Sequence, residues 1–187
     1  MKRVAILSGA FNPLTVAHLA LTNAAESVAD EVICVVPRVY PHKKLEGASI
    51  EQRLEMLRLA PGRHKIRTTE KGLFIDIARE LRRADPEADI HFICGRDAAD
   101  RVLNWDYGDP KFAERMLEEF ALLVASRQGE LDIPAHLAHR VRTLAMPACY
   151  DEVSSTEVRR RIAGGEPWEH LAPQEIRRLI REIYARS

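Results

Sequence analysis

The sequence predicts an α/β protein built on a Rossmann-like open, mainly parallel sheet, flanked by helices and closed by C-terminal helices. Three observations predict it. Short β-branched runs alternate with longer helical patterns along the chain, as βαβ units require. The runs are near-continuously apolar ("VICVV", "FALLVA"), as expected of strands covered on both faces. A length of 187 residues, with 46% hydrophobic and 30% charged content, supports one ordinary globular core. No repeat, low-complexity segment or linker divides it, so residues 1–187 read as a single domain.

Taken in order, strands are expected at Arg3–Leu7, Glu31–Val36, His64–Thr68, Asp89–Cys94, Phe120–Ala125 and Val141–Ala145. Helical patterns lie between them at Val16–Ala29, Ile50–Leu59, Leu73–Ala84, Asp97–Asn104 and Ala113–Glu118. Two more close the chain, at Ser155–Ala163 and Pro173–Ala185. Crossovers between parallel strands should be right-handed. The polar insertion Pro37–Ala48, "PRVYPHKKLEGA", leaves the C-terminal end of the second strand, the edge where open α/β sheets bind ligands.

Composition excludes several classes. The 28 basic residues balance 28 acidic ones, which disfavours bulk nucleic-acid binding. The basic stretch from Ser154 onward could form a DNA-binding module, two helices broken at Gly164–Gly165, but no second basic element supports it. No apolar run approaches the length of a membrane span. The start "MKRVAIL" mimics a signal peptide, but its apolar run stops at Ser8–Gly9. Cys34, Cys94 and Cys149 are far apart and form no Cys-x-x-Cys, so they read as reduced core residues of a cytoplasmic protein.

The stretch "SGAFNPLTVAHL", Ser8–Leu19, carries the first chemical signal. Gly9 permits a sharp turn and close approach of another molecule. Pro13 stiffens the exit and keeps Asn12 extended. Thr15 can cap the following helix, and His18 then falls in its first turn, where N–H groups and the helix dipole attract anions. The segment therefore reads as an anion site at a strand–helix junction, or as an ordinary turn with a half-buried His. It is neither a P-loop nor a G-x-G-x-x-G dinucleotide turn. A second stretch, "VSSTEVRRRI", Val153–Ile162, places hydroxyls at a helix start. Thr156 and Arg159, three residues apart, can face one site, and Arg offers a forked phosphate donor. The other reading of this stretch is a capped surface helix with a solvated arginine face.

Together these stretches resemble the nucleotidyltransferase superfamily that includes the nicotinate/nicotinamide mononucleotide adenylyltransferases. "GAFNPLTVAH" is similar to its G-x-F-x-P-x-[HT]-x-G-H signature, matching at Gly9, Phe11, Pro13, Thr15 and His18 and departing at Ala17, where the family has Gly. "SSTEVR" is similar to its I-S-S-T-x-x-R element. "PHKK" resembles P-x-H-K, with Lys43 the matching residue and Lys44 beside it. "FICGRDAADRVLNW" resembles a strand followed by G-x-D and a Trp, giving Gly95, Asp97 and Trp105. Asp97 alternatively caps a helix, and Trp105 alternatively packs in the core. "LLVASRQG" resembles a strand followed by R-x-G, giving Arg127.

The resemblance implies adenylyl transfer from ATP, with Mg²⁺ on the triphosphate, to the phosphate of a pyridine mononucleotide in NAD biosynthesis. It implies catalytic roles for His18, Lys43 and Arg159. ATP would be held by Gly9, Ala10, Phe11, Thr15, His18, Gly95, Asp97, Ser155, Thr156 and Arg159. The acceptor would meet Lys43, Lys44, Phe74, Trp105 and Arg127. No protein-held metal, nucleic-acid or membrane partner is expected, and the resemblance leaves room for a homo-oligomer. One departure concerns the acceptor: where those relatives carry Ser-Tyr-Thr, this chain has Gly72-Leu73-Phe74. The competing readings are another phosphorylated acceptor, such as phosphopantetheine or a phosphoalcohol served from CTP, and nucleotide binding without catalysis. Two further stretches carry little: His136 and His139 form an H-x-x-H pair without an evident third ligand, and Ser8 lacks a nucleophile elbow.

Overall fold

A computed structural model describes residues 1–40, 46–104, 108, 111–126 and 133–185. Six strands form one sheet: β1 (Arg3–Ser8), β2 (Glu31–Pro37), β3 (Lys65–Thr69), β4 (Asp89–Gly95), β5 (Ala121–Ser126) and β6 (Val141–Ala145). Their order is β3-β2-β1-β4-β5-β6, and every pair is parallel. The strand order reverses between β1 and β4. In a doubly wound sheet this opens a crevice at the C-terminal ends of those two strands.

Alternation along each strand explains why helices cover both faces. From β1, Ala5 and Leu7 join one core while Val4 and Ile6 join the other. β2 divides likewise, with Val32, Cys34 and Val36 on one side and Ile33 and Val35 opposite. The first core is closed by α1 (Val16–Ala25), α2 (Ile50–Leu59), α6 (Ser155–Ala163) and α7 (Arg177–Tyr184). The second is closed by α3 (Phe74–Ala84), α4 (Arg96–Asn104) and α5 (Phe112–Glu119).

The Rossmann-like reading therefore holds, with local corrections. The first helix stops at Ala25 rather than Ala29: the Glu26 amide closes onto Ala24 and Thr22, and Val28 and Ala29 turn back onto Ala25. The last pattern splits into a 3-10 turn, Gln174–Ile176, and α7. Cys34 and Cys94 are buried, and burial pushes both thiols up to about 12. Cys149 is exposed instead, because it falls in a short 3-10 turn, Ala148–Tyr150, and not in a strand. No helix among the described residues is long and apolar enough to cross a membrane.

Phe74, expected at the acceptor, is half-buried and packs in part on the second core. Its ring stacks on Phe92 of β4, with centroids 4.2 Å apart and planes within 4°, and meets Phe120 edge-on at 6.2 Å. One face of the ring thus belongs to the second core and is closed to an acceptor, because the first turn of α3 packs onto the sheet there. Phe92, fully buried between these two rings, anchors that core. Phe92→Ala should lower unfolding stability by about 3–5 kcal/mol, read as a fall in urea midpoint; a loss under about 1 kcal/mol would contradict this packing.

Candidate active site

The turn between β1 and α1 is the centre of the site. Gly9 was expected to permit a sharp turn; the left-handed residue of that turn is Phe11, with φ 48°. Such a backbone costs about 1–3 kcal/mol for a side-chain-bearing residue. Burying a Phe side chain returns about 1.5–3 kcal/mol, and Phe11 is 1% exposed, its ring lying beneath Gly9. Burial of the ring offsets the strain. Phe11 therefore presents only backbone to a ligand.

Thr15 caps α1 as anticipated, and His18 completes a reciprocal capping box. The Thr15 amide donates to His18 Nδ1 at 3.0 Å, and Thr15 Oγ1 lies 2.8 Å from the same nitrogen. Because the backbone N–H can only donate, Nδ1 must accept, and the neutral imidazole carries its proton on Nε2. His18 is thus set as a donor through Nε2. Thr15 is fully buried, so its side chain reaches a ligand only through His18.

Asn12 is buried beside the turn and links three segments. Its Nδ2 donates to the Glu46 carbonyl at 2.6 Å, while Oδ1 accepts from the Ala48 amide at 3.1 Å and from the Tyr184 hydroxyl. Burial pushes Tyr184 up to about 12, against the pull of Arg159 and Arg53, so its phenol stays a donor. Gly47 sits in this junction with φ 95°, and a Cβ there would lie 2.9 Å from the Tyr184 ring. Only Gly satisfies both demands without a shift.

The second motif packs onto the first. Ser154 caps α6, its Oγ accepting from the Glu157 amide. Ser155 does not cap; its hydroxyl donates to the Pro13 carbonyl at 2.7 Å. Arg159 Nη1 donates to the Asn12 carbonyl, and Nη2 lies 3.4 Å from Thr156 Oγ1. The neighbouring arginines turn away: Arg160 and Arg161 pair with Glu157, and Arg160 also pairs with Glu166. Those pairs hold the Glu157 carboxyl down at about 2. Of the three consecutive arginines, Arg159 alone is directed at the turn.

At the end of β4, a crevice of about 600 Å³ is lined by Gly95, Arg96, Asp97, Ala98, Arg101, Asp151 and Glu152. A Cβ on Gly95 would enter open space. Asp97 lies in the first turn of α4 with its side chain 84% exposed, available to accept from ligand hydroxyls.

A family pattern described as cytidylyltransferase-like matches residues 6–161, from within β1 into α6. This chain belongs to the cytidylyltransferase-like family. It is a nucleotidyltransferase. It is 30% identical to a protein of Moorella thermoacetica named "Probable nicotinate-nucleotide adenylyltransferase", over 96% of this chain and 89% of the relative. It is 31% identical to one of the same name from Thermus thermophilus, over 93% and 94%. The fold resembles the Plasmodium falciparum nicotinic acid mononucleotide adenylyltransferase complexed with NaAD, with TM-score 0.67, 19% identity and coverage of 89% and 87%.

Within this nucleotidyltransferase the structure gathers Gly9, Ala10, Phe11, Thr15, His18, Ser155, Thr156 and Arg159 around one turn, and puts Gly95 and Asp97 at the neighbouring strand end. Lys43, Lys44, Trp105 and Arg127 lie outside the described residues. His136 faces Glu114 at 3.2 Å, away from the turn on the α5 side. Sequence reading missed the side chain of Asn12 within the turn, and Tyr40, Arg53 and Tyr184, which hold the turn from afar. Arg53 did leave a trace: a cation on the apolar stripe of α2 beside Met56 and Leu57.

The capping box makes His18 dependent on Thr15. Thr15→Val should cost about 1 kcal/mol of stability and at least about tenfold in kcat as the imidazole loses its fixed orientation, whereas Thr15→Ser should retain both. Wild-type kcat in Thr15→Val, measured by pyrophosphate release, would contradict the arrangement.

Proposed function

We propose that this nucleotidyltransferase moves the adenylyl group of ATP onto the 5′-phosphate of a pyridine mononucleotide, with nicotinate mononucleotide the better acceptor, and releases pyrophosphate. The product is the deamido precursor of NAD, or NAD itself from the amide. The observation that carries the reading is the convergence on one turn of a tautomerically set histidine, His18, and a partly buried arginine, Arg159. The names of the relatives supply the acceptor.

The acceptor phosphate is already an anion at neutral pH and attacks the α-phosphorus in line, so no strong general base is needed. The protein's task is to align two anions and offset their repulsion. His18 Nε2 donates to the triphosphate as charge moves toward the leaving pyrophosphate. Arg159 and Thr156 hold the same group from the start of α6, and Asp97 accepts from the ribose. Lys43 and Lys44 neutralise the acceptor phosphate, while Trp105 and Arg127 line its ring and phosphate. Mg²⁺ enters with ATP as part of the substrate. Reaction and substrates suit a cytoplasmic enzyme of NAD biosynthesis.

The test is pyrophosphate release with ATP and, in parallel, nicotinate mononucleotide, nicotinamide mononucleotide and phosphopantetheine. The expected order in kcat/KM is acid above amide, with no turnover of phosphopantetheine; turnover of phosphopantetheine alone would overturn the acceptor. His18→Ala should lower kcat by about 10²–10³, the scale of one lost transition-state donor. Arg159→Lys should recover only part of the activity lost in Arg159→Ala, because a point charge cannot bond the Asn12 carbonyl and a phosphate in one plane. Wild-type kinetics in either alanine variant would remove that residue from the mechanism.

A further inference from the structure

Arg53 belongs to no motif, yet it is the buried cation of the first core's rim, 6% exposed. Its guanidinium stays charged at any physiological pH, and an isolated buried charge is costly. No carboxylate of a described residue pairs with it. Its bonds go to neutral oxygens: Nε to the Ser49 carbonyl at 3.2 Å, and Nη1 to the Ala10 carbonyl at 3.3 Å and the Tyr40 hydroxyl at 3.5 Å. The guanidinium also lies 5.9 Å from the Tyr40 ring centre. Tyr40 in turn donates to the Gly9 carbonyl at 3.0 Å, and burial raises its pKa, so it remains a phenol.

Two successive carbonyls of the turn are therefore drawn to one side, Gly9 by Tyr40 and Ala10 by Arg53. In a planar trans peptide the N–H points opposite to its C=O. The amides of Ala10 and Phe11 must then point away from Tyr40 and Arg53. Neighbouring amides aimed together form a concave donor site for an oxyanion. A cation behind the two carbonyls completes the field, because it polarises both peptide dipoles in the sense that favours an anion at their amide ends.

We infer that Arg53, seconded by Tyr40, is a positioning residue for the transfer: it sets the peptide planes whose amides hold a phosphate and backs them with a permanent charge. This rests on the phosphate-transfer reading above and assigns a role to a residue that touches no substrate.

The test compares the intact protein with Arg53→Met, Arg53→Lys and Tyr40→Phe. Three readouts are taken: affinity for inorganic pyrophosphate by calorimetry, kcat and KM for ATP, and Tm. Arg53→Met should weaken pyrophosphate binding and lower kcat, each by at least about tenfold. Arg53→Lys should recover part of both, since it keeps the charge and a donor. Tyr40→Phe should lose about fivefold, the scale of one hydrogen bond. A merely structural Arg53 would move Tm alone, and a folded Arg53→Met with wild-type affinity and kcat overturns the inference. Should Arg53→Met fail to fold, unchanged affinity in both Arg53→Lys and Tyr40→Phe overturns it equally. If the unaltered protein binds pyrophosphate but serves no pyridine mononucleotide, the acceptor reading fails, and the affinities alone decide the role of Arg53.

Discussion

Four carbonyl oxygens of the turn after β1 accept hydrogen bonds from four side chains on three other segments. Tyr40 takes Gly9, Arg53 takes Ala10, Arg159 takes Asn12 and Ser155 takes Pro13. A free turn of this length would sample many backbone states, at about 1–2 kcal/mol of entropy per residue fixed. Here that cost is met during folding, before any substrate arrives. With its carbonyls tied inward, the turn has the Ala10 and Phe11 amides left for an anion. Adenylyl transfer asks for little else: donors held where charge will develop, and no reorganisation when it does.

Charge is distributed to the same end. The chain is neutral overall, but its ends differ. At the N-terminal edge of the sheet charges are paired: Lys2 and Lys65 share Glu31, and Asp89 binds His91 beside Arg3. On and just after α6, Glu157 and Glu166 neutralise Arg160 and Arg161. Arg53 and Arg159, nearest the turn, meet carbonyls and hydroxyls and no carboxylate among the described residues. The turn thus keeps two cations that no carboxylate of a described residue neutralises directly, while Asp97, Asp151 and Glu152 line the neighbouring crevice.

The sheet was legible because its strands are buried on both faces and read as apolar runs, and the helices because caps and periodicity mark them. The candidate site was legible wherever its contacts are local in sequence: Thr15 beside His18, Thr156 beside Arg159. It was illegible where a residue acts across the fold. Asn12 meets Tyr184 from the opposite end of the chain, and no local pattern carries that pairing. Phe74 was assigned to the acceptor from its place in a motif, and no local pattern shows that one face of its ring stacks on Phe92. Gly9 was read as the residue that permits the sharp turn and close approach of a ligand. The left-handed backbone falls at Phe11, whose burial offsets the strain.

The central claim is that the turn's backbone, held by its carbonyls, is the phosphate site. The most direct measurement is an NMR titration of the ¹⁵N-labelled protein with ATP, following backbone amides. The account predicts the largest shifts at Ala10 and Phe11, with His18 Nε2–H moving in parallel. Shifts confined to the start of α4 around Arg96 and Asp97, with Ala10 and Phe11 unmoved at saturation, would contradict it.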